Sequence, residues 1–196
     1  YTLGHIVSDL RALVARLNRD EPVRVIGHDW GAVAGWCLAI EHPKLVSALV
    51  AISVGHPTEY ARAGLEQKLK GLYTLAWQWP GASERWLRRN GFAGLRGWAR
   101  QHPALEPCIR DLSRPGRLTA GLNWYRANFG KVMFGRWGPC KVPTLGIWSD
   151  KDHFLAEDQM RGSARRVEAP WRFERIAGAG HLLPLEQPET VARLAA

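Results

Sequence analysis

Hydrophobic and polar positions follow two different periods along this chain. Leu3, Ile6, Val7, Leu10, Leu13, Val14 and Leu17 recur at intervals of three and four, which predicts an amphipathic helix over residues 3–17. Pro22 then precedes a β-branched run, Val23 to Ile26, that reads as a strand. A glycine-flanked turn around Asp29 leads into an apolar helix over Ala32 to Ile40, ending before Pro43. A second apolar run, Ala48 to Ser53, gives the next strand. Strand, helix and strand in this order imply parallel pairing and an α/β fold class.

From Gly55 to about Pro139 the pattern changes. Trp77, Trp79, Trp86, Trp98, Trp124 and Trp137 are scattered among arginines and glycines without strand-like alternation, and the segment reads as a mostly helical insertion. Strand signals return at Thr144 to Trp148, after Pro143, and at Trp171 to Ile176, with a polar helical stretch, Ala156 to Val167, between them. A last helix begins behind Pro188. The expected division is a core of residues 1–54 and 140–196 interrupted by a helical domain of residues 55–139. No internal repeat or low-complexity tract is present.

Composition narrows the function classes. The chain has 196 residues, 46% hydrophobic and 23% charged. None of its apolar runs approaches the roughly 18 residues of a membrane span, so a soluble protein is expected. The net charge of +9 arises from 27 Lys and Arg against 18 Asp and Glu. The arginines are dispersed and accompany no recognition motif, so they read as a solvated surface and no nucleic-acid partner is expected. Cys37, Cys108 and Cys140 are odd in number and lack metal-ligand spacing, which fits a reducing, cytoplasmic setting without a metal. The chain opens directly on a helical pattern at Tyr1, without an initiator methionine, and is expected to be truncated at its start.

The chemistry begins at Gly27-His-Asp-Trp-Gly31, which has the form Gly-x-nucleophile-x-Gly between a strand and a helix, the context of a nucleophile elbow. Glycines allow strand and helix to cross closely, while a strained residue 29 would push its side chain above the sheet. The N–H of Trp30 and the positive helix end favour an anion there. The competing reading makes Asp29 an ordinary helix N-cap. Two downstream residues bear on the choice, because the elbow fold orders its triad as nucleophile, acid, histidine. Asp152, in Trp148-Ser-Asp-Lys-Asp-His-Phe154, and His181, in Gly178-Ala-Gly-His-Leu-Leu-Pro184, each follow the C-terminal end of a predicted strand, where α/β sites form. Asp150, nearer the strand end, is the alternative acid. His28, His153 and Cys37 read as structural or surface residues, and His56 could line the pocket.

An aspartate at the elbow, with an ordinary pKa of about 3.9, is ionised at neutral pH without help from a base. It suits displacement at saturated carbon, giving an alkyl ester of Asp29. His181, oriented by Asp152, is then available as general base toward water. Trp30 N–H supplies one oxyanion donor.

On these residues the chain resembles an α/β-hydrolase of the epoxide hydrolase family. Tyr73, in Tyr-x-x-x-x-Gln-x-Pro-Gly, matches the family's first cap tyrosine, and Tyr125, in Leu122-Asn-Trp-Tyr-Arg126, matches the second. The resemblance implies an α/β-hydrolase fold with an inserted helical cap and a catalytic set of Asp29, Asp152, His181, Tyr73 and Tyr125. Both phenols would donate to the epoxide oxygen and, with Trp30, line the substrate. It also implies a small apolar epoxide and water as reactants, and no cofactor. The ten tryptophans agree with an apolar or aromatic pocket. Haloalkane dehalogenase is the alternative within enzymes, since the Trp30 indole could hold a halide. A ligand-binding protein of this fold without turnover is the alternative of another class.

The sequence departs from the family in two ways. The upstream strands and a His-Gly-x-Pro loop carrying the second oxyanion donor are missing, and Ser149 stands where Gly is frequent. Without upstream strands Val23 to Ile26 would be a hydrophobic sheet edge. The expectation is that the 196-residue chain alone is poorly soluble and nearly inactive toward epoxides. An upstream-extended version should turn them over, and equal rates for the two would refute this.

Overall fold

A computed structural model of the chain describes residues 1–17, 21–100, 102 and 104–196. The described strands form one parallel sheet of four. These are β1 (Val23–His28), β2 (Val46–Ile52), β3 (Thr144–Ser149) and β4 (Trp171–Ile176), and their spatial order is their chain order. All three pairings are parallel. Parallel neighbours need crossover connections, and the first of these contains helix α2 (Trp30–Glu41), which follows α1 (Leu3–Leu17).

The alternation of side chains along β2 divides the core. Leu49 and Ala51 join a cluster on one face with Leu3 and Val7 of α1 and Ala32, Val33 and Trp36 of α2. Val50 and Ile52 point the other way, toward Ile147, Ile176, Leu183 and Val191. A parallel sheet is normally covered on both faces, which is why β2 reads as a continuous apolar run. Helix α2 has no polar face. Its residues Ala32 to Ala39 are all buried, as expected of a helix apolar all round.

The chain separates into two compact units, one of residues 2–71 and 130–196, the other of Tyr1 and residues 72–129. In the first, the sheet is joined by α3 (Pro57–Arg62) and α4 (Leu65–Lys70). The second contains α5 (Tyr73–Ala76), α6 (Ala82–Trp98), α7 (Leu105–Ser113) and most of α8 (Arg117–Phe134). Trp77, Leu87, Leu95, Leu105, Leu118 and Leu122 form its core. This helical unit is narrower than the 55–139 expected from composition, because α3 and α4 are tied to the sheet unit. Glu59 on α3 pairs with Arg165 and Arg166 at 2.5 and 2.7 Å, and Gln67 on α4 bonds the backbone at Phe154 and Ala156.

The polar stretch after β3 is a short helix, α9 (Glu157–Gly162), followed by a 3-10 turn over Ser163–Arg166. The chain ends in α10 (Leu183–Glu186) and α11 (Pro188–Ala195). Among the described residues no helix is long and apolar enough to cross a membrane.

The two glycines flanking Asp29 are not equivalent. A Cβ on Gly27 would lie 2.4 Å from the Gly31 carbonyl oxygen and 2.7 Å from the Ala32 nitrogen, whereas a Cβ on Gly31 meets nothing within 4 Å. Gly27→Ala must therefore drive β1 and α2 apart and should destabilise the fold by about 1–3 kcal/mol. Gly31→Ala, in a helix, should be neutral or stabilising by up to about 1 kcal/mol. Urea unfolding of both variants checks the pair; equal midpoints would contradict it.

Candidate active site

Asp29 joins β1 to α2 with φ 52° and ψ −122°, a region that non-glycine residues enter at a cost of about 1–3 kcal/mol. Its amide donates to Ile52 O, and its own carbonyl accepts from the Ala32 and Val33 amides. The backbone thus starts the helix, while the side chain makes no capping hydrogen bond. An N-cap residue has extended backbone and bonds the first turn through its side chain. Asp29 does neither, so capping does not account for it.

The β3 and β4 ends supply the groups around it. Asp152 lies just beyond β3, with its side chain fully buried. Its Oδ1 accepts from the amides of Phe154 and Leu155 at 2.8 and 3.0 Å, and its Oδ2 lies 2.9 Å from His181 Nδ1. The opposite ring nitrogen, Nε2, is 3.6 Å from Asp29 Oδ1. Asp150 turns elsewhere: Oδ1 accepts from Gly178 N at 2.8 Å, and the carboxylate pairs with Arg175 at 3.4 Å. The partner of His181 is therefore Asp152.

Exposure separates the two carboxylates on His181. Asp29 is 37% exposed and Asp152 0%, so Asp29 alone is open to a reactant. Burial works against charge on His181, but hydrogen bonding to Asp152 and then to Asp29, with the charges of both, outweighs it and pushes the imidazole up to about 10. Burial likewise opposes ionisation of Asp29, yet His181 and the Trp30 amide hold it below its ordinary value. Both shifts favour an imidazolium beside an ionised Asp29.

Several neighbours were not legible as site residues. His28, read as structural or surface, brings Nε2 to 2.7 Å from the His181 carbonyl with the rings 4.9 Å apart. Burial and the charge of His181 lower its basicity, so neutral His28 donates to that carbonyl. Ser149 donates to Gly180 O at 2.6 Å, tying the strand before Asp152 to the loop before His181. The Phe154 and His181 rings lie 5.1 Å apart, centre to centre, in a T-shaped arrangement. The Tyr60 phenol, on α3, is raised to about 12 by burial and by the Asp29 charge. His56 is a structural pin: its Nδ1 accepts from Thr58 N and its Nε2 donates to Gly138 O, and burial pushes it down to about 4. Burial also raises the Cys37 thiol to about 12, which leaves it unreactive.

Tyr73 and Tyr125 belong to the helical unit. Their rings lie 6.1 Å apart, and both contact Trp77, at 4.7 and 4.6 Å. Among the described residues no group of three or more His, Cys, Asp or Glu side chains is placed to hold a metal ion.

Residues 1–188 match the profile of the alpha/beta hydrolase fold family. The chain belongs to that family. A Bacillus subtilis AB hydrolase superfamily protein, YfhM, is 32% identical to this hydrolase-fold chain, covering 99% of it and 71% of its own length. Human epoxide hydrolase 4 is 29% identical over 210 residues, 99% of this chain. The chain spans 58% of that relative's length. Among solved structures, an epoxide hydrolase from Bacillus megaterium with an inhibitor superposes with a TM-score of 0.76 over 99% of this chain and 74% of its own, at 21% identity, and so shares the fold.

The arrangement offers an exposed anion beside a histidine whose basicity depends on that anion. Asp29→Asn should lower the His181 pKa measurably in a histidine NMR titration; an unchanged value would contradict the pairing. The sign for stability follows from a folded pKa of about 10 above the ordinary 6.5. The contribution is complete below about pH 6.5 and is lost as pH rises toward 10. Thermal stability should fall across that window, and less so in Asp29→Asn.

Proposed function

We propose that this hydrolase-fold protein converts an epoxide to a vicinal diol through a covalent alkyl ester on Asp29. The observation that carries the reading is one imidazole held between two carboxylates, one buried and one partly exposed. The exposed, ionised Asp29 would attack a ring carbon, breaking the strained C–O bond and leaving an alkoxide. Tyr73 and Tyr125 are assigned the donor role toward that oxygen by their resemblance to the family's cap tyrosines. We read the unit of residues 72–129 as the cap.

Ester formation removes the Asp29 charge, and with it one of the two partners that hold His181 protonated. The imidazolium must lose its proton before it can accept one from water; that proton passes, through solvent or a phenol, to the alkoxide left by ring opening, and alkylation of Asp29 favours the transfer. Neutral His181, still held by Asp152 through Nδ1, would then take a proton from water at Nε2. The resulting hydroxide attacks the ester carbonyl, and Trp30 N–H donates to the oxyanion. Cleavage of the acyl C–O bond expels the second alkoxide, which takes the proton of the added hydroxyl; this releases the diol and restores the Asp29 carboxylate beside the His181 imidazolium.

The names of the relatives support epoxides as the substrate class. Three free cysteines suit a reducing, cytoplasmic setting. Dehalogenation is the second reading, favoured by the tryptophan that follows Asp29.

His181→Gln should retain ester formation and lose ester hydrolysis. After mixing with styrene oxide, intact-mass spectrometry should show one adduct of the epoxide's mass on the peptide containing Asp29. No adduct, or an adduct elsewhere, would contradict the assignment. Tyr73→Phe combined with Tyr125→Phe should abolish epoxide opening, while dehalogenation, were it the true activity, would survive.

A further inference from the structure

Asp152 aims at His181 through a loop that is itself held from outside. One carboxylate oxygen accepts from the amides of Phe154 and Leu155 and the other from His181, so the backbone of residues 152–155 sets the direction of the carboxylate. Two side chains of α4 grip that backbone. Lys70 Nζ donates to the carbonyls of Asp152 and Leu155 at 2.8 and 3.2 Å. Gln67 Nε2 donates to Phe154 O at 3.1 Å, and Gln67 Oε1 accepts from Ala156 N at 2.8 Å. The two residues thus engage four backbone polar groups within five consecutive residues.

We propose that Gln67 and Lys70 of α4 are positioning residues that hold loop 152–156, and through it the Asp152 carboxylate and the Phe154 ring, in register with His181. The proposal rests on the reading of His181 as the base that releases the ester.

The side-chain chemistry is specific to this task. Gln67 is buried at 3% exposure, and a buried primary amide is costly unless both its ends are bonded; here each end meets its complement on the loop. Lys70 is partly covered, and Glu66 at 2.8 Å offsets its charge, leaving the ammonium protons directed at two carbonyls. An apolar residue could fill either space but could not fix the loop's rotation. The Phe154 ring lies 5.1 Å from His181, so the Gln67 bond to the Phe154 carbonyl bears on the imidazole from a second side. Displacement of a catalytic group by about 1 Å can cost on the order of a hundredfold in rate.

Lys70→Met, Lys70→Arg and Gln67→Glu separate positioning from packing. Lys70→Met removes the donor, and Lys70→Arg keeps one. Gln67→Glu retains the acceptor for Ala156 N but sets a carboxylate oxygen against Phe154 O. In Lys70→Met of the upstream-extended protein, kcat for styrene oxide should fall by on the order of tenfold or more with KM within about twofold, and the low-field His181 Nδ1 proton signal should shift or broaden. Lys70→Arg should recover most of both, and Gln67→Glu should resemble Lys70→Met. Were Gln67→Glu not to fold, Lys70→Met against Lys70→Arg decides alone. A folded Lys70→Met with reduced Tm but unchanged kcat and unchanged Nδ1 signal would overturn the proposal. Failure of the base reading is distinct, since His181→Gln would then still release the ester.

Discussion

His181 holds its Nδ1 2.9 Å from one carboxylate and its Nε2 3.6 Å from another, and the rest of the site is arranged around that alignment. Burial alone would discharge the ring. Two anions on opposite nitrogens reverse the balance, and they do so unequally: Asp152 is sealed and bonded to its own loop, whereas Asp29 is partly open. A change at Asp29 is therefore felt at His181 without disturbing Asp152. The proposed ester route uses this asymmetry, because in it the histidine has no proton to remove in the first step and becomes a base only in the second.

The parallel sheet supplies the alignment at low conformational cost. Asp29, Asp152 and His181 all follow C-terminal strand ends, those of β1, β3 and β4, and strand register fixes their spacing. The turn at Asp29 is possible because Gly27 lacks a Cβ where the Gly31 carbonyl passes. Strain there is confined to one residue whose backbone also initiates α2. The loops beyond β3 and β4 are joined by Ser149 to Gly180 and by Asp150 to Gly178, which ties the segment carrying the acid to the one carrying the histidine. Helix α4 then secures the acid loop from the far side.

Much of this was legible in the sequence. The β-branched and apolar runs located all four strands; β2 and β3 are mostly buried, whereas β1 and β4, at the ends of the strand order, have one buried residue each. Gly27-His-Asp-Trp-Gly31 located the turn because few residues tolerate its backbone. The choice between Asp150 and Asp152 was not legible: both follow the same strand, and only the loop's hydrogen bonds separate them. His28, read as structural or surface, bonds a backbone carbonyl 153 positions away, a partner that no local pattern shows. Gln67 and Lys70 sit in a short helix with no periodic signal, and their partners lie 82 to 89 residues downstream. That distance also explains why the helical unit begins at Leu72, since anchoring of α3 and α4 on the sheet unit leaves no local compositional trace.

The central claim is that Asp29 forms an ester which water then cleaves at the acyl carbon. Single turnover of styrene oxide in 18O-labelled water, with protein in excess, tests it most directly. The account predicts solvent oxygen in the Asp29 carboxylate and none in the first diol released. Label in that first diol, with Asp29 unlabelled, would mean direct attack of water on the epoxide and would contradict it.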